Sequence, residues 1–139
     1  MSFLPVYLDA SAIVKLVAPE PETEALLSAL AGWPDRVSSA LTRVEVYRAL
    51  WRARASRATR ARADAVLSNL VCIGIDDHVL SRAASFKDPL LRALDAIHLA
   101  TALSIGDDPD AFVTYDTRLA RAAQHQRLRV QHPGVERLE

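Results

Sequence analysis

Leu4-Pro5-Val6-Tyr7-Leu8-Asp9-Ala10-Ser11-Ala12 is the segment on which the fold turns. Residues 4–8 read as an apolar strand closed by Asp9, and Ser11 offers the N-cap of a short helix running to Val17 and stopped by Pro19. A buried strand passing directly into a helix is the repeating unit of a parallel sheet. Outward from it the alternation continues. Helix is expected over 22–30, with Pro21 early in it and Gly32 beyond its end, then strand over 36–38 and helices over 42–54 and 59–70. Further on come strand 71–75, helix 77–86, an apolar helix over 91–105, strand 111–114, helix 118–125 and a last strand near 128–130. The pattern predicts an α/β fold around a mostly parallel sheet.

The chain of 139 residues fits one domain, residues 1–139, and half of its residues are hydrophobic, enough for a core without disulfides or a structural metal. Its single cysteine, Cys72, lies in the apolar run Leu70-Val71-Cys72-Ile73 and reads as a buried thiol. No apolar run is long enough to span a bilayer, and the N-terminus lacks the features of an export signal, so a soluble cytoplasmic protein is expected. The two helices of the 42–70 segment form a predicted hairpin. Val46 and Leu50, with Tyr47 and Trp51, make the apolar stripe of the first; Ala63, Val66, Leu67 and Leu70 make that of the second.

Seventeen basic residues balance seventeen acidic ones, so net charge gives no hint of a polyanionic partner. Its distribution says more. Seven arginines fall between Arg43 and Arg62 against one acid, Glu45. That set suits phosphate recognition, or is a solvated helix face in an arginine-rich protein.

Four acids sit where acids are costly. Asp9 ends the first strand, Asp116 ends Phe112-Val113-Thr114, Asp95 interrupts the most apolar helix, and Glu45 lies early in its helix beside Val44 and Val46. Asp9 and Asp116 each also suit the role of helix cap, and the helix dipole favours an early glutamate such as Glu45. A mid-helix aspartate gains nothing from propensity, which makes Asp95 the most telling of the four. Ligands of parallel α/β sheets collect at the carboxyl ends of the strands, where Asp9 and Asp116 belong. Converging carboxylates without histidine or cysteine ligands suit a hard cation, Mg²⁺ or Mn²⁺, and such ions support in-line displacement at phosphate. His98 shares a helical face with Asp95; it either approaches the site or is satisfied among core neighbours.

Four stretches, in order and spanning nearly the whole chain, carry a resemblance. They are Val6-Tyr7-Leu8-Asp9-Ala10-Ser11-Ala12, Thr42-Arg43-Val44-Glu45-Val46, Leu94-Asp95-Ala96-Ile97-His98-Leu99-Ala100-Thr101-Ala102 and Phe112-Val113-Thr114-Tyr115-Asp116-Thr117-Arg118-Leu119. Together they resemble the four motifs of PIN-domain ribonucleases, most closely the VapC toxins. The resemblance implies a three-layer α/β/α fold and Mg²⁺-dependent endonuclease action on RNA. It also implies a homodimer and inhibition by a VapB-type antitoxin. Carried over by position, Asp9, Glu45, Asp95 and Asp116 are the catalytic, metal-binding acids. Thr114, and less directly Ser11, orient a ligand or water. Arg52, Arg54 and Arg57 are candidates for gripping RNA phosphates. Tyr47, Trp51 and Trp33 suit a partner groove or dimer face, or the core.

Other chemistries fit less well. A haloacid-dehalogenase-like phosphatase wants a second aspartate two residues after the first, where this chain has Ser11. A response-regulator receiver wants a late lysine, and none follows Lys87. A catalytically silent PIN-like module that binds RNA or a partner is the remaining alternative, although all four acidic positions are filled.

Overall fold

The computed structural model describes residues 3–138. Five strands form one sheet in the order β3-β2-β1-β4-β5, every pair parallel: β1 Val6–Leu8, β2 Arg36–Ser39, β3 Val71–Ile73, β4 Ala111–Val113 and β5 Val130–Gln131. Seven helices join them: α1 Ala10–Val17, α2 Thr23–Leu30, α3 Thr42–Arg52, α4 Arg57–Ser68, α5 Asp77–Ser85, α6 Ala93–Leu103 and α7 Thr117–His125.

Side-chain alternation along the strands builds three layers. Val6 and Leu8 of β1 and Ala111 and Val113 of β4 point to one face, where α1 to α4 bury Ile13, Leu26, Leu30, Val46, Leu50 and Leu67. Tyr7 and Phe112 point to the other, stacked with ring centroids 5.0 Å apart, under Leu99 of α6 and Leu119 and Ala123 of α7. The centre of the sheet is therefore apolar on both faces, as parallel sheets are.

Chain order runs outward from β1 to β2 and β3 on one side, then returns to β4 and β5 on the other. The reversal falls between β1 and β4. At such a switch point the connections leave on opposite sides and open a crevice beyond the strands' carboxyl ends. Asp9 follows β1 and Asp116 lies three residues beyond β4, so both stand at this crevice.

Several boundaries differ from the sequence expectation, for local reasons. β1 begins at Val6, after Pro5, which has no N–H for a ladder. Asp9, not Ser11, caps α1, its carboxylate accepting from the Ala12 N–H at 3.0 Å. Pro21 precedes α2 rather than entering it. Ser56 accepts from the Thr59 N–H and starts α4 at Arg57. α3 stops at Arg52 because Arg54 turns left-handed at φ 52° and the Ala55 N–H returns to the Leu50 carbonyl. α7 ends the same way: Arg127 has φ 63°, its N–H meets the Gln124 carbonyl and the Leu128 N–H meets that of Ala123. This is the Schellman arrangement, and it draws Leu128 into the core. The last strand consequently starts at Val130 rather than 128.

Two side chains, Trp51 and Cys72, also depart from expectation, and the structure decides between the two readings of Trp33. Trp51 is 58% exposed and lies against the Arg60 guanidinium, 4.8 Å from its ring centroid, instead of joining the buried stripe of Val46 and Leu50. Trp33 is buried, its indole N–H donating to Asp110 at 2.6 Å, so it belongs to the core. Cys72 is half-buried, and that burial pushes its thiol up, away from the reactive thiolate.

Candidate metal centre

Asp9 is the innermost acid, 3% exposed. The cap geometry of α1 holds one carboxylate oxygen, Oδ1, which accepts from the Ala12 N–H and from the Ser11 hydroxyl at 2.7 Å. The other, Oδ2, accepts from the Thr114 hydroxyl at 2.6 Å. Thr114 in turn accepts from the Asp116 N–H at 3.0 Å, and Ser11 from the Tyr115 N–H at 2.9 Å. Two hydroxyls thus link the end of β1 to the turn after β4. Burial raises the Asp9 pKa, opposed by the nearby His98 and by these donors.

Asp116 caps α7, its Oδ1 accepting from the Leu119 N–H at 3.0 Å. It is exposed, so the desolvation argument that singled it out in the sequence does not apply; it stands at the rim. Asp95 also differs from expectation. It lies in the first turn of α6, not mid-helix, where the positive end of the helix dipole favours a carboxylate. Asp95 and Asp116 share one cleft of about 330 Å³ with Arg92, Thr117 and Arg118. Burial raises the Asp95 pKa to about 6, and Asp116, Asp9 and Glu45 push the same way, against His98. Three other carboxylates therefore act on Asp95.

Glu45, in the first turn of α3, completes this group through His98 of α6. The imidazole is 1% exposed, so it does not reach solvent or a bound phosphate. Its Nε2 lies 2.5 Å from Glu45 Oε1 and its Nδ1 2.7 Å from the Tyr7 hydroxyl. Burial disfavours the charged ring. The bond to Glu45 and the charges of Asp9, Glu45 and Asp95 outweigh this and raise its pKa.

The sequence reading missed Tyr7, Arg92 and Arg118. Arg118 stands inside a stretch already singled out, next but one to Asp116, whereas nothing local marks Tyr7, whose partner is 91 residues away. Arg52, Arg54 and Arg57 are exposed around the turn between α3 and α4. Arg52 lies seven residues from Glu45, roughly 10 Å along the helix, so this arginine set flanks the acids rather than lining their cleft.

Among the described residues, no three acidic, histidine or cysteine side chains converge tightly enough to make a ready-made ion cage. The donors are nonetheless all carboxylates and hydroxyls, and the mutual repulsion at Asp95 is what a cation relieves. Such a donor set fits a hard ion and disfavours a thiolate- or imidazole-seeking one.

Fold and site together define a parallel α/β protein with an acid-lined crevice at its switch point. The PIN domain model matches residues 6–124. Ribonuclease VapC46 of Mycobacterium tuberculosis is 46% identical over 120 residues, covering 86% of this chain and 90% of that protein. Ribonuclease VapC35 of the same species is 43% identical over 140 residues, covering 95% and 99%. The chain belongs to the PIN-domain family, in its VapC branch. Solved structures agree on the fold. VapBC2 from Rickettsia felis superposes with a TM-score of 0.71 at 14% identity, covering 94% of this chain and 99% of that one. M. tuberculosis VapC20, a sarcin-ricin loop cleaving toxin, gives 0.68 at 17%, covering 84% and 94%.

Proposed function

We propose that the protein is a metal-dependent endoribonuclease, the toxin of a type II toxin–antitoxin pair, acting in the cytoplasm. The observation that carries this reading is the acid crevice itself: Asp95 and Asp116 line one cleft, and Thr114 ties the buried Asp9 to the Asp116 backbone. Nothing in the chain's own core requires so much negative charge in one place. The curated relatives named as ribonucleases support it, at 43–46% identity.

In this reading Asp9, Asp95 and Asp116 hold Mg²⁺ or Mn²⁺, and Glu45 completes the site. Mg²⁺ characteristically keeps several waters and takes one or two carboxylates directly, which suits an open acid set. When bound, the ion supplies a nucleophilic hydroxide and neutralises charge on the phosphate. The remaining work belongs to the chain. Thr114 and Ser11 fix both oxygens of Asp9, leaving its carboxylate one orientation. His98 holds one oxygen of Glu45, Oε1. Arg92 and Arg118, beside Asp95 and Asp116, offer cationic donors to a phosphodiester that would otherwise meet only repulsion. Hydrolysis by this route leaves a 5′-phosphate and a 3′-hydroxyl. The protein pairs with itself, and a VapB-type antitoxin silences it by covering the crevice.

Cleavage of total RNA by the purified protein, with Mg²⁺ or Mn²⁺, tests the reading. Discrete fragments that vanish with EDTA and in Asp9→Asn are expected. Intact RNA, from folded protein freed of its partner, would leave a binding module in its place.

A further inference from the structure

A second cleft opens beside the acid crevice, enclosed by the segment after α5, by α6 and by the outer face of α7. Its volume is about 560 Å³, within the range of ligand pockets, about 300–1,000 Å³. Phe86, Leu90, Leu91 and Leu99 give it an apolar wall, and Leu90 is 76% exposed. Arg118, Arg121 and His125 recur at helical spacing along α7 and line the same cleft. Lys87 adds a third permanent cation. The one acid in the lining, Asp88, already accepts from the Leu90 N–H at 2.9 Å. Arg118 lines both this cleft and the one that holds Asp95 and Asp116.

We propose that this cleft is the subsite for an unpaired nucleotide of the RNA next to the scissile phosphate, Arg118 bridging the two clefts. The proposal rests on the ribonuclease reading above. Apolar side chains from residues 86–91 and α6, together with cations from α7, match a nucleotide's two halves, a flat base and a charged phosphate. Single-stranded RNA is bound by that combination, with bases on apolar or aromatic surfaces and the backbone along positive charge. The adjoining acid crevice repels the backbone, so an excess of fixed cations is needed where the strand enters or leaves. The α7 arginines stand there, whereas Arg52, Arg54 and Arg57 stand around the turn at the end of α3.

Binding of a short fluorescein-labelled single-stranded RNA in EDTA, where it is not cut, separates the possibilities. Arg121→Glu is expected to weaken binding about tenfold and to reduce the salt dependence by about one counterion. Leu90→Ser is expected to weaken it less, with the salt dependence unchanged. Both side chains are exposed, and equal melting temperatures confirm that the variants are folded. A 4-thiouridine probe should cross-link to peptides containing residues 86–91 and 118–126. Full RNA affinity in both variants, with metal-dependent cleavage intact in the parent protein, overturns the subsite and leaves the ribonuclease standing. Absence of both RNA binding and cleavage in the parent overturns the two together. Conversion of a dimer to a monomer by Leu90→Ser, without loss of RNA affinity, overturns the subsite in favour of a self-association face. Unchanged RNA affinity with lost binding of an acidic helical peptide overturns it in favour of a protein partner.

Discussion

His98 Nε2 lies 2.5 Å from Glu45 Oε1, and 53 residues separate the two along the chain. The same ring meets the Tyr7 hydroxyl at 2.7 Å, so one imidazole fastens α6 to both α3 and β1. Removing it leaves the buried Tyr7 hydroxyl without this partner and opens a void. His98→Ala should therefore lose about 2–4 kcal/mol of stability in urea titration. Activity should fall further than the folded fraction does, because Glu45 loses its orientation. Stability within error of the parent would show that the ring is not a structural tie.

Asp9→Asn tests charge apart from shape. Asparagine keeps Oδ1 as helix cap and acceptor for Ser11, and gives up the bond to Thr114 in its present polarity, costing about 1 kcal/mol. Cleavage should drop by about two orders of magnitude or more, from the loss of a metal-binding charge. Asp9→Ala should lose both function and the cap, with a clearly lower melting temperature. Equal melting temperatures for the two variants would contradict the capping role.

At the rim, the same comparison comes out differently. Asp116→Ser retains a good N-cap for α7, and the position is exposed, so stability should change by less than about 1 kcal/mol. Metal affinity, followed by calorimetry with Mn²⁺, should weaken about tenfold or more. Unaltered affinity would remove Asp116 from the ligand set.

Asp9, Asp95 and His98 all have raised pKa values. Each binds protons more tightly folded than unfolded, so the stability it contributes is fullest at low pH and declines as pH rises. For Asp95 the decline spans from the ordinary 3.8 to about 6. The metal-free protein should lose melting temperature across that window, and Asp95→Asn should flatten the slope. Mg²⁺ should restore stability above the window, because it binds the ionised form. An identical slope in Asp95→Asn would show that the pH dependence arises elsewhere.

Arg52, Arg54 and Arg57 can be reversed together. If the α3–α4 turn grips RNA beyond the crevice, the triple glutamate variant should weaken RNA binding at low salt, with a salt dependence reduced by up to about three counterions. Unchanged affinity would assign RNA contact to the α7 side alone.

Much of this site could be read from the chain because its chemistry is local. An apolar run closed by an acid that can cap the next helix reads as a strand-to-helix junction, as at Asp9. The capping and site readings of Asp9 and Asp116 turn out to be compatible. A cap takes one oxygen of the carboxylate, as Oδ1 shows in each, and leaves the second to a different partner, in Asp9 the Thr114 hydroxyl. Asp95 was picked out for a reason that the structure replaces: α6 starts only at Ala93, so the acid sits in a favourable first turn. Its significance comes from its neighbours, not from a propensity penalty.

The sequence by itself determined the alternation of strands and helices, the apolar character of the strands and the acids that follow the first and fourth of them. All of these depend on residues a few positions apart. Only the tertiary structure decided which strands neighbour one another, and hence that β1 and β4 bring Asp9 and Asp116 to one crevice. It alone joined His98 to Glu45 and Tyr7, and set Arg118 between two clefts. Such contacts span up to 105 residues, as between Thr114 and Asp9, and depend on how whole layers pack, which no local pattern encodes.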